Sequence, residues 1–368
     1  MECFRMPEFH KFCVEELQQL QPETAGEVLL RQQLQNRIRE NWDRVAKPLN
    51  GMGKFETMIE KIGAIQGTEH PDISKKGVLI FCADNGIVEE GISQSGREVT
   101  EAVAISMGKQ NSSVGKLAGC AKAVTIPVDV GICSTREIPG VLNRKVCAGT
   151  RNFRKEPAMT QEEAMRAIVT GMEMVFRCKQ DGYGLLGMGE MGIGNTTTSS
   201  AVAAALLHCS AEEVTGRGAG LSDTGLLKKK QVIQSAIEKY QLYDADVMTV
   251  LRTVGGLDIA ALAGMCMGGA LFHIPIVMDG VISMVAALCA ERLLPGTREF
   301  LLASHRGKEP AVKLLEKALQ VEPVIDGALA LGEGTGAVML FPLLDMALCV
   351  YEDGTEFSDI QVEQYTRF

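Results

Sequence analysis

The chain has 368 residues, 46% of them hydrophobic and 23% charged, which is typical of a soluble globular protein with one large and one small domain. Its net charge of −9 and the lack of a basic block argue against nucleic acids and anionic membranes as partners. Eleven cysteines without a C-x-x-C spacing and five histidines without an H-x-x-x-H pair predict a cytoplasmic protein with free thiols and no metal site.

Two helical segments open the chain. Residues 11–47 contain helix-forming side chains and few breakers, and the Pro48–Gly51 stretch ends this segment. Residues 54–66 carry apolar side chains along one face at helical spacing. These segments predict the beginning of a small helical domain.

The middle of the chain alternates apolar strands with helices, which predicts a parallel α/β sheet covered on both faces. The predicted strands are 77–83, 123–130, 183–188, 274–278 and 300–303, and the predicted helices lie near 97–118, 161–180, 198–208, 225–240, 256–270, 281–292 and 309–320. Polar residues follow the strands at their carboxyl ends, where open α/β sheets bind ligands; they are Asp84, Asp129, Glu190, Asp279 and Ser304. Four carboxylates there predict an acidic pocket edge suited to a cationic centre.

One stretch, residues 259–278, has twenty residues without Asp, Glu, Lys or Arg and is long enough for a transmembrane helix. His273 and Pro275 divide it into a glycine-rich helix and a short strand. We therefore expect no membrane insertion.

The segment 187–198, GMGEMGIGNTTT, lies between an apolar strand and a small-residue helix. A glycine turn that leads into a helix N-terminus holds phosphate on its backbone N–H groups. Gly192 and Gly194 allow close approach of an anion, whereas Asn195 and Thr196 are typical N-cap residues that add side-chain donors. Glu190 places a carboxylate beside this turn, so the segment predicts chemistry on a phosphorylated small molecule.

Two other interpretations of the same segment are open. Gly187, Gly189 and Gly192 match the G-x-G-x-x-G fingerprint, which would indicate a nicotinamide-dependent oxidoreductase. That fingerprint expects an acidic residue after a second strand about 20 residues further on. Glu212 and Glu213 have this spacing, but the residues before them are predicted to be helical. The second alternative is a glycine turn that only packs a helix on the sheet.

A second glycine-rich segment, 331–336, reads LGEGTG and precedes a predicted helix over 337–350. Glu333, flanked by glycines, is little screened and is a candidate general base. The alternative is an acidic residue favoured by the helix dipole. A third turn, 216–223, precedes Lys228, Lys229 and Lys230, of which one could reach a phosphate or all three could be solvated.

Several motifs occur together in one order over some 300 residues. They are PLNGMGKFETMIEKIGAIQG (48–67), ADNGIVEEG (83–91), GEMGIGNTT (189–197), GRGAGLSD (216–223), GGLDIAALAG (255–264), IVMDG (276–280), SHRGKEP (304–310) and LGEGTGA (331–337). From about residue 48 to about residue 348, the chain resembles the nicotinate-nucleotide–dimethylbenzimidazole phosphoribosyltransferases, which activate the lower base of cobalamin.

The resemblance implies that ribose 5-phosphate is transferred from nicotinate mononucleotide to 5,6-dimethylbenzimidazole, with release of nicotinate and inversion at the anomeric carbon. It implies no cofactor and a homodimer; whether a homologous partner subunit is needed stays open. By position, Glu333 matches the general base and Glu190 the second active-site glutamate. The other implied residues are Gly192, Gly194, Asn195, Thr196 and Lys229 at the phosphate and ribose, and Ser95 and Leu331 at the base.

Two positions depart from the family pattern. Asn85 stands where many members have histidine, and Val103 stands where some place a glutamine that faces the base. An apolar side chain there leaves the acceptor open among benzimidazoles, purines and phenols. Besides the oxidoreductase, a non-catalytic nucleotide or corrinoid-precursor binding protein is a further alternative.

The combined prediction is a mainly parallel Rossmann-like α/β fold with helices on both faces. Residues 71–339 would form the large catalytic domain, and residues 1–70 with 340–368 a small helical domain. The strand-end residues Asp279 and Ser304 complete the predicted substrate-binding set.

Overall fold

The structure, a computed structural model, describes Glu16 and residues 19–367. Six strands form one sheet in the order β3-β2-β1-β4-β5-β6, and all neighbouring pairs are parallel. The strands are β1 (Lys76–Ala83), β2 (Ala123–Gly131), β3 (Leu142–Asn143), β4 (Leu185–Met191), β5 (Ile276–Met278) and β6 (Leu301–Ala303). The strand order reverses between β1 and β4, and crevices at such a reversal bind ligands in open α/β sheets.

Thirteen helices are described. They are α1 (Ala25–Arg44), α2 (Lys54–Gln66), α3 (Glu98–Gly108), α4 (Ser113–Cys120), α5 (Gln161–Gln180), α6 (Asn195–Leu207), α7 (Ala211–Val214), α8 (Asp223–Lys239), α9 (Val247–Val254), α10 (Leu257–Leu271), α11 (Val281–Leu293), α12 (Val312–Leu319) and α13 (Thr335–Asp353). The sequence analysis missed α7, α9 and β3. The start of its first helix, residues 11–18, lies almost wholly outside the described residues.

The single helix predicted over 97–118 is two helices, α3 and α4. Gln110 has a positive φ of +58°, which ends the first helix. Ser112 then caps the second, because its hydroxyl accepts a hydrogen bond from the N–H of Gly115 at 3.2 Å. The turn at Gln110 and the cap at Ser112 therefore divide the segment into two helices, although its apolar pattern is continuous in the sequence.

The central strand β1 is buried on both faces. Leu79 and Phe81 pack into one hydrophobic cluster with α5, α6 and α8–α12, whereas Val78 and Ile80 pack into another with α1–α4 and α13. Successive side chains of a strand point to opposite faces, so one short apolar segment serves two cores. The prediction of an α/β sheet with helices on both faces is confirmed.

The helices α1, α2 and α13 pack against one another and against the second face of the sheet. Trp42 of α1 contacts Tyr351 of α13 with a ring-centroid distance of 5.0 Å. Lys76, at the start of β1, forms an ion pair with Asp345 of α13 at 2.7 Å. The division into two domains at residues 70 and 340 stays a prediction.

Helix α13 is, among the described helices, the one long and apolar enough to cross a membrane by length and composition. Half of its most apolar window is buried inside the protein, as in a core helix. The stretch 259–278 instead forms helix α10 and strand β5, as predicted.

Helices α5 and α10 cross at backbone contact through two glycines. A β-carbon at Gly264 would overlap the carbonyl oxygen of Ile168, and one at Gly171 would overlap the carbonyl oxygen of Ala261. Neither helix can move away without opening the core that both share.

We expect Gly264→Ala to lower the free energy of unfolding by about 1–3 kcal/mol, because the added methyl group separates the two helices. Helix propensity alone would give the opposite sign, by about 1 kcal/mol. Gly119→Ala is the matched control, because Gly119 lies in α4 with nothing within 4 Å of an added β-carbon. Equilibrium urea unfolding of both variants checks this, and equal stabilisation of the two would contradict the close helix crossing.

Candidate active site

A cavity of about 380 Å³ opens at the carboxyl ends of β4 and β5, beside the strand-order reversal. Ten of the twelve predicted site residues line it; they are Ser95, Val103, Glu190, Gly192, Gly194, Asn195, Thr196, Asp279, Leu331 and Glu333. The remaining two, Lys229 and Ser304, are fully buried behind the wall. Of the predicted strand-end carboxylates, only Glu190 and Asp279 line the cavity. The predicted edge of four carboxylates is therefore wrong for Asp84 and Asp129, which instead accept hydrogen bonds from backbone N–H groups at the end of β2 and in the loop after it.

The turn between β4 and α6 has the predicted position but a different cap. Gly194, with φ of +95°, is the N-cap of α6, and Asn195 and Thr196 lie in its first turn. A β-carbon at Gly192 would overlap the carbonyl oxygen of Ala83. The prediction of Asn195 or Thr196 as N-cap is therefore wrong, because only glycine easily adopts the backbone that starts this helix.

The G-x-G-x-x-G spacing does not form a dinucleotide turn. Gly187 and Gly189 lie inside β4 rather than after it. A β-carbon at Gly189 would lie 2.7 Å from the carbonyl oxygen of Glu333. The lack of a side chain at Gly189 therefore allows the loop of Glu333 to pack directly against β4. After α6 the next strand of the described chain is β5, which starts at Ile276, so Glu212 and Glu213 do not end a strand. The fingerprint geometry is not met.

Glu190 is buried at the end of β4 with both carboxyl oxygens bonded. Oε1 accepts a hydrogen bond from the N–H of Glu333 at 3.3 Å, and Oε2 accepts one from Nδ2 of Asn195. Nδ2 of Asn195 also donates to Oδ2 of Asp258 at 3.2 Å. Because an amide has two N–H donors, the Asn195 side chain has no further donor for a ligand.

Burial raises the pKa of Glu190 to about 8, and the nearby charges of Asp258 and Asp279 act in the same direction. Burial likewise raises the pKa of Asp258 to about 6, although the N–H of Ile259 and the amide of Asn195 oppose the shift. Carboxyl groups with strongly raised pKa values in a cleft are typical of functional sites.

The loop that carries Glu333 has three consecutive residues in the left-handed region. Gly332, Glu333 and Gly334 have φ values of +80°, +61° and +89°. The loop is held by Asp279, whose carboxylate accepts hydrogen bonds from the N–H groups of Gly334 at 3.2 Å and Gly336 at 2.7 Å. Asp279, and not Glu333, is thus the acid at the N-terminus of α13.

The Glu333 carboxylate is half-buried and faces the cavity. Its Oε2 accepts a hydrogen bond from the N–H of Val114, in the first turn of α4, at 3.4 Å. Burial raises the pKa of Glu333, the Val114 N–H lowers it, and the charge of Asp279 raises it. A carboxylate with a raised pKa is suited to accept a proton near neutral pH.

Ser304 lies one layer behind the cavity. Its hydroxyl donates to the carbonyl oxygen of Asp279 at 3.3 Å and lies 3.1 Å from Nδ1 of His305. His305 lines the cavity, and its Nδ1 lies 3.8 Å from the Asp279 carboxylate. Burial lowers the pKa of His305, and Asp279 opposes that shift. The position of Ser304 is suited to holding Asp279 rather than touching a ligand.

At the other end of the cavity, Lys229 lies beside the predicted phosphate turn. Its Nζ donates to Oγ1 of Thr196 at 2.9 Å. Burial lowers the pKa of Lys229 to about 8, against the attraction of Glu309. Glu309 accepts a hydrogen bond from the N–H of Gly218 at 3.0 Å. Of the three consecutive lysines, Lys230 instead forms an ion pair with Glu212.

The wall around Ser95, Val103 and Leu331 is mainly apolar. Further apolar residues line the cavity; they include Ile92, Val99, Met188, Met191, Ile193, Leu221, Leu262, Val281, Ile282 and Leu329. Such a wall suits a flat aromatic ring.

Three ionisable residues in or next to the cavity were not predicted from the sequence. Asp258 and His305 lie within quoted motifs, but an acid that starts a helix and an isolated histidine carry no distinct signal. Glu309 follows a lysine in a turn, where acidic residues are common. In the described residues no group of three or more His, Cys, Asp or Glu side chains is arranged to hold a metal.

Comparison with known proteins gives consistent matches. A family model described as Phosphoribosyltransferase matches residues 29–362. The chain is 42% identical over 323 residues to the nicotinate-nucleotide–dimethylbenzimidazole phosphoribosyltransferase of Ruminiclostridium cellulolyticum, covering 88% of this chain and 92% of the relative. To that of Geobacter metallireducens it is 38% identical, covering 95% and 98%. The solved structure of CobT from Thermus thermophilus matches with a TM-score of 0.85 at 35% identity, covering 90% of this chain and 100% of that chain.

We expect the burial of Glu190 to make stability depend on pH. The folded protein keeps a proton on Glu190 up to about pH 8, whereas the unfolded chain releases it near 4.5. The free energy of unfolding therefore falls as pH rises between these values, by up to about 1.4 kcal/mol per pH unit. Glu190→Gln cannot ionise, so its free energy of unfolding should fall less between pH 5 and 8.5 than that of the wild type. Urea unfolding at a series of pH values measures this difference.

The matched control is Glu163→Gln. Arg151 lowers the pKa of Glu163 to about 2, so its stabilisation is lost only as pH falls below 4.5 towards 2. The control should keep the wild-type slope between pH 5 and 8. Parallel curves for Glu190→Gln and the wild type would contradict a protonated Glu190.

Proposed function

This chain belongs to the nicotinate-nucleotide–dimethylbenzimidazole phosphoribosyltransferases, enzymes of cobalamin lower-base synthesis, and we propose from its site the reaction it performs. It transfers the ribose 5-phosphate of nicotinate mononucleotide to 5,6-dimethylbenzimidazole or a related base. The products are α-ribazole 5′-phosphate and nicotinate. The observation that carries the proposal is that one cavity is lined by both Glu333 and the Gly194–Thr196 helix start, with Lys229 buried behind Thr196.

The nucleotide phosphate binds at the start of α6. Gly192 and Gly194 allow the turn to pack closely against Ala83 and Val88. The helix N-terminus favours the charge of the phosphate, and Thr196 adds a hydroxyl. Lys229, which is buried behind Thr196, donates a hydrogen bond to that hydroxyl and adds a positive charge near the phosphate. The ribose then lies towards Glu190, between the phosphate and the base.

The bond that breaks joins the anomeric carbon to the nitrogen of the pyridinium ring. The bonding electrons return to that nitrogen and neutralise its positive charge, so nicotinate leaves without needing a proton. Positive charge that develops on the ribose is stabilised by the carboxylates of Glu190 and Asp279. The ionised form of Glu190 serves this step, and the cationic substrate favours that form.

The new bond forms when a nitrogen of the acceptor attacks the opposite face of the anomeric carbon. The other ring nitrogen of the acceptor loses its proton to Glu333, which acts as general base. Inversion follows from attack opposite the leaving group. No cofactor takes part in this scheme.

The acceptor occupies the apolar wall near Ser95, Val103 and Leu331. Val103 offers no hydrogen bond, which favours recognition of the base by shape and burial. Benzimidazoles suit this wall; purines and phenols are the alternative acceptors, and a phenol would give an O-glycoside. We further propose that the enzyme works in the cytoplasm as a homodimer, or with a homologous subunit.

We expect the purified protein to release nicotinate from nicotinate mononucleotide when it is given dimethylbenzimidazole. Adenine and a phenol complete the acceptor panel, and chromatography with mass spectrometry identifies the product and its anomeric form. Glu333→Gln should bind the nucleotide normally and turn over about 10²–10⁴-fold more slowly. Near-normal turnover in that variant would remove Glu333 from the role of base.

Nucleotide binding without product for any acceptor would favour the binding-protein alternative or a missing partner subunit. Binding of NAD or NADP with hydride transfer would favour the oxidoreductase. Either result would overturn the proposed reaction for the isolated chain.

We expect Lys229→Ala to raise the KM for nicotinate mononucleotide about 10-fold or more and to change kcat little. The charge of Lys229 and its hydrogen bond to Thr196 act equally on the bound substrate and on the transition state, so their loss weakens binding uniformly. Lys230→Ala is the matched control on the same helix and should leave both constants unchanged. A fall in kcat at constant KM would contradict the phosphate role.

A further inference from the structure

Asp258 begins a chain of hydrogen bonds that ends at the loop of Glu333. It is fully buried in the first turn of α10 and does not line the cavity. Its Oδ1 accepts a hydrogen bond from the N–H of Ile259 at 3.0 Å, and its Oδ2 accepts one from Nδ2 of Asn195 at 3.2 Å. Asp258 can therefore act on a bound ligand only through other residues.

Asn195 is the link from Asp258 to Glu190. Its Nδ2 donates to both carboxylates, which uses both N–H bonds of the amide. A rotation of the amide by half a turn would place its oxygen against two carboxylates. The two acids together therefore fix the orientation of the amide.

Glu190, held in place by the Asn195 amide, in turn contacts the backbone of the loop that carries Glu333. Its Oε1 accepts the N–H of Glu333 at 3.3 Å, and a β-carbon at Gly332 would lie 2.6 Å from the same oxygen. The backbone of the loop thus rests directly on the Glu190 carboxyl group. A displacement of Glu190 would displace Glu333.

We propose that Asp258 is a positioning residue for the transfer reaction, which holds Glu190 through the Asn195 amide and thereby places Glu333. This inference rests on the proposed function, because placement matters only for the reaction that Glu333 serves. Misplacement of a catalytic group by about 1 Å can cost about 10²-fold in rate.

The charge of Asp258 also acts on Glu190. The groups that face Glu190 are Asp258 from α10, Asp279 from the end of β5, Cys82 from β1, the Asn195 amide and the N–H of Glu333. Burial is the main cause that raises the pKa of Glu190, and Asp258 is the next. Neutralising Asp258 should therefore lower the pKa of Glu190 and move the acidic side of the activity profile to lower pH.

The first experiment compares nicotinate release by the wild type and Asp258→Asn from pH 5.5 to 9. We expect kcat to fall about 10- to 100-fold and the KM for nicotinate mononucleotide to change less than about 3-fold. The acidic side of the profile should lie at lower pH. Asp129→Asn is the matched control. Asp129 is a buried acid at the end of β2 that accepts hydrogen bonds from the N–H groups of Gly131 and Ile132. This variant should have the same pH profile as the wild type.

A double-mutant cycle with Asn195→Ala tests the route of the effect. If Asp258 acts through the amide, the double variant loses no more activity than Asn195→Ala alone. Losses that multiply would overturn the proposal, as would a loss in Asp258→Asn that is equal at every pH. If Asp258→Asn does not fold, Asp258→Ser, which is also neutral, takes its place with the same expectations.

An infrared titration separates failure of this inference from failure of the proposed function. The stretching band of the protonated Glu190 carboxyl group is assigned by its absence in Glu190→Gln. In Asp258→Asn this band should disappear at a lower pH than in the wild type, whether or not the protein turns over. An unchanged titration overturns the coupling of Asp258 to Glu190, and with it the inference. A shifted band without nicotinate release by the wild type supports that coupling but overturns the proposed reaction.

Discussion

Two buried carboxylates hold the backbone of one loop, and the active site depends on this interaction. Glu190 accepts the N–H of Glu333, while Asp279 accepts those of Gly334 and Gly336. Backbone N–H groups at a helix start normally attract an anion from solution. Here the protein fills those positions with its own acids, which gives the loop of Glu333 a fixed place.

The sheet explains why these acids meet. All six strands are parallel, so their carboxyl ends share one edge, and the residues that follow β4 and β5 face each other across it. The two hydrophobic cores on either side of β1 make this edge rigid. Burial then raises the pKa values of Glu190 and Asp279.

Apolar periodicity and strand-end polarity are local patterns, so they allowed prediction of five of the six strands and of both glycine loops. The positions of Ser95, Val103 and Leu331 at the cavity came instead from the family resemblance. The sequence could not show that Asn195 bonds two acids, since Asp258 lies 63 positions away and reaches it only through the fold. Nor could it identify the N-cap of α6. Asn195 has a side chain that is common at N-caps, whereas Gly194 is the N-cap because of its left-handed backbone, which the sequence does not show. The break at Gln110 was missed for a related reason: a single left-handed residue interrupts no hydrophobic pattern.

The left-handed backbone of Glu333 places a limit on how stable this enzyme can become. A residue with a β-carbon in that region costs about 1–2 kcal/mol, and glycine would relieve the cost. The chain keeps the carboxylate between two glycines that already adopt the same conformation. The loop therefore retains conformational strain that selection for stability cannot remove if, as proposed, this side chain is the one that accepts the proton.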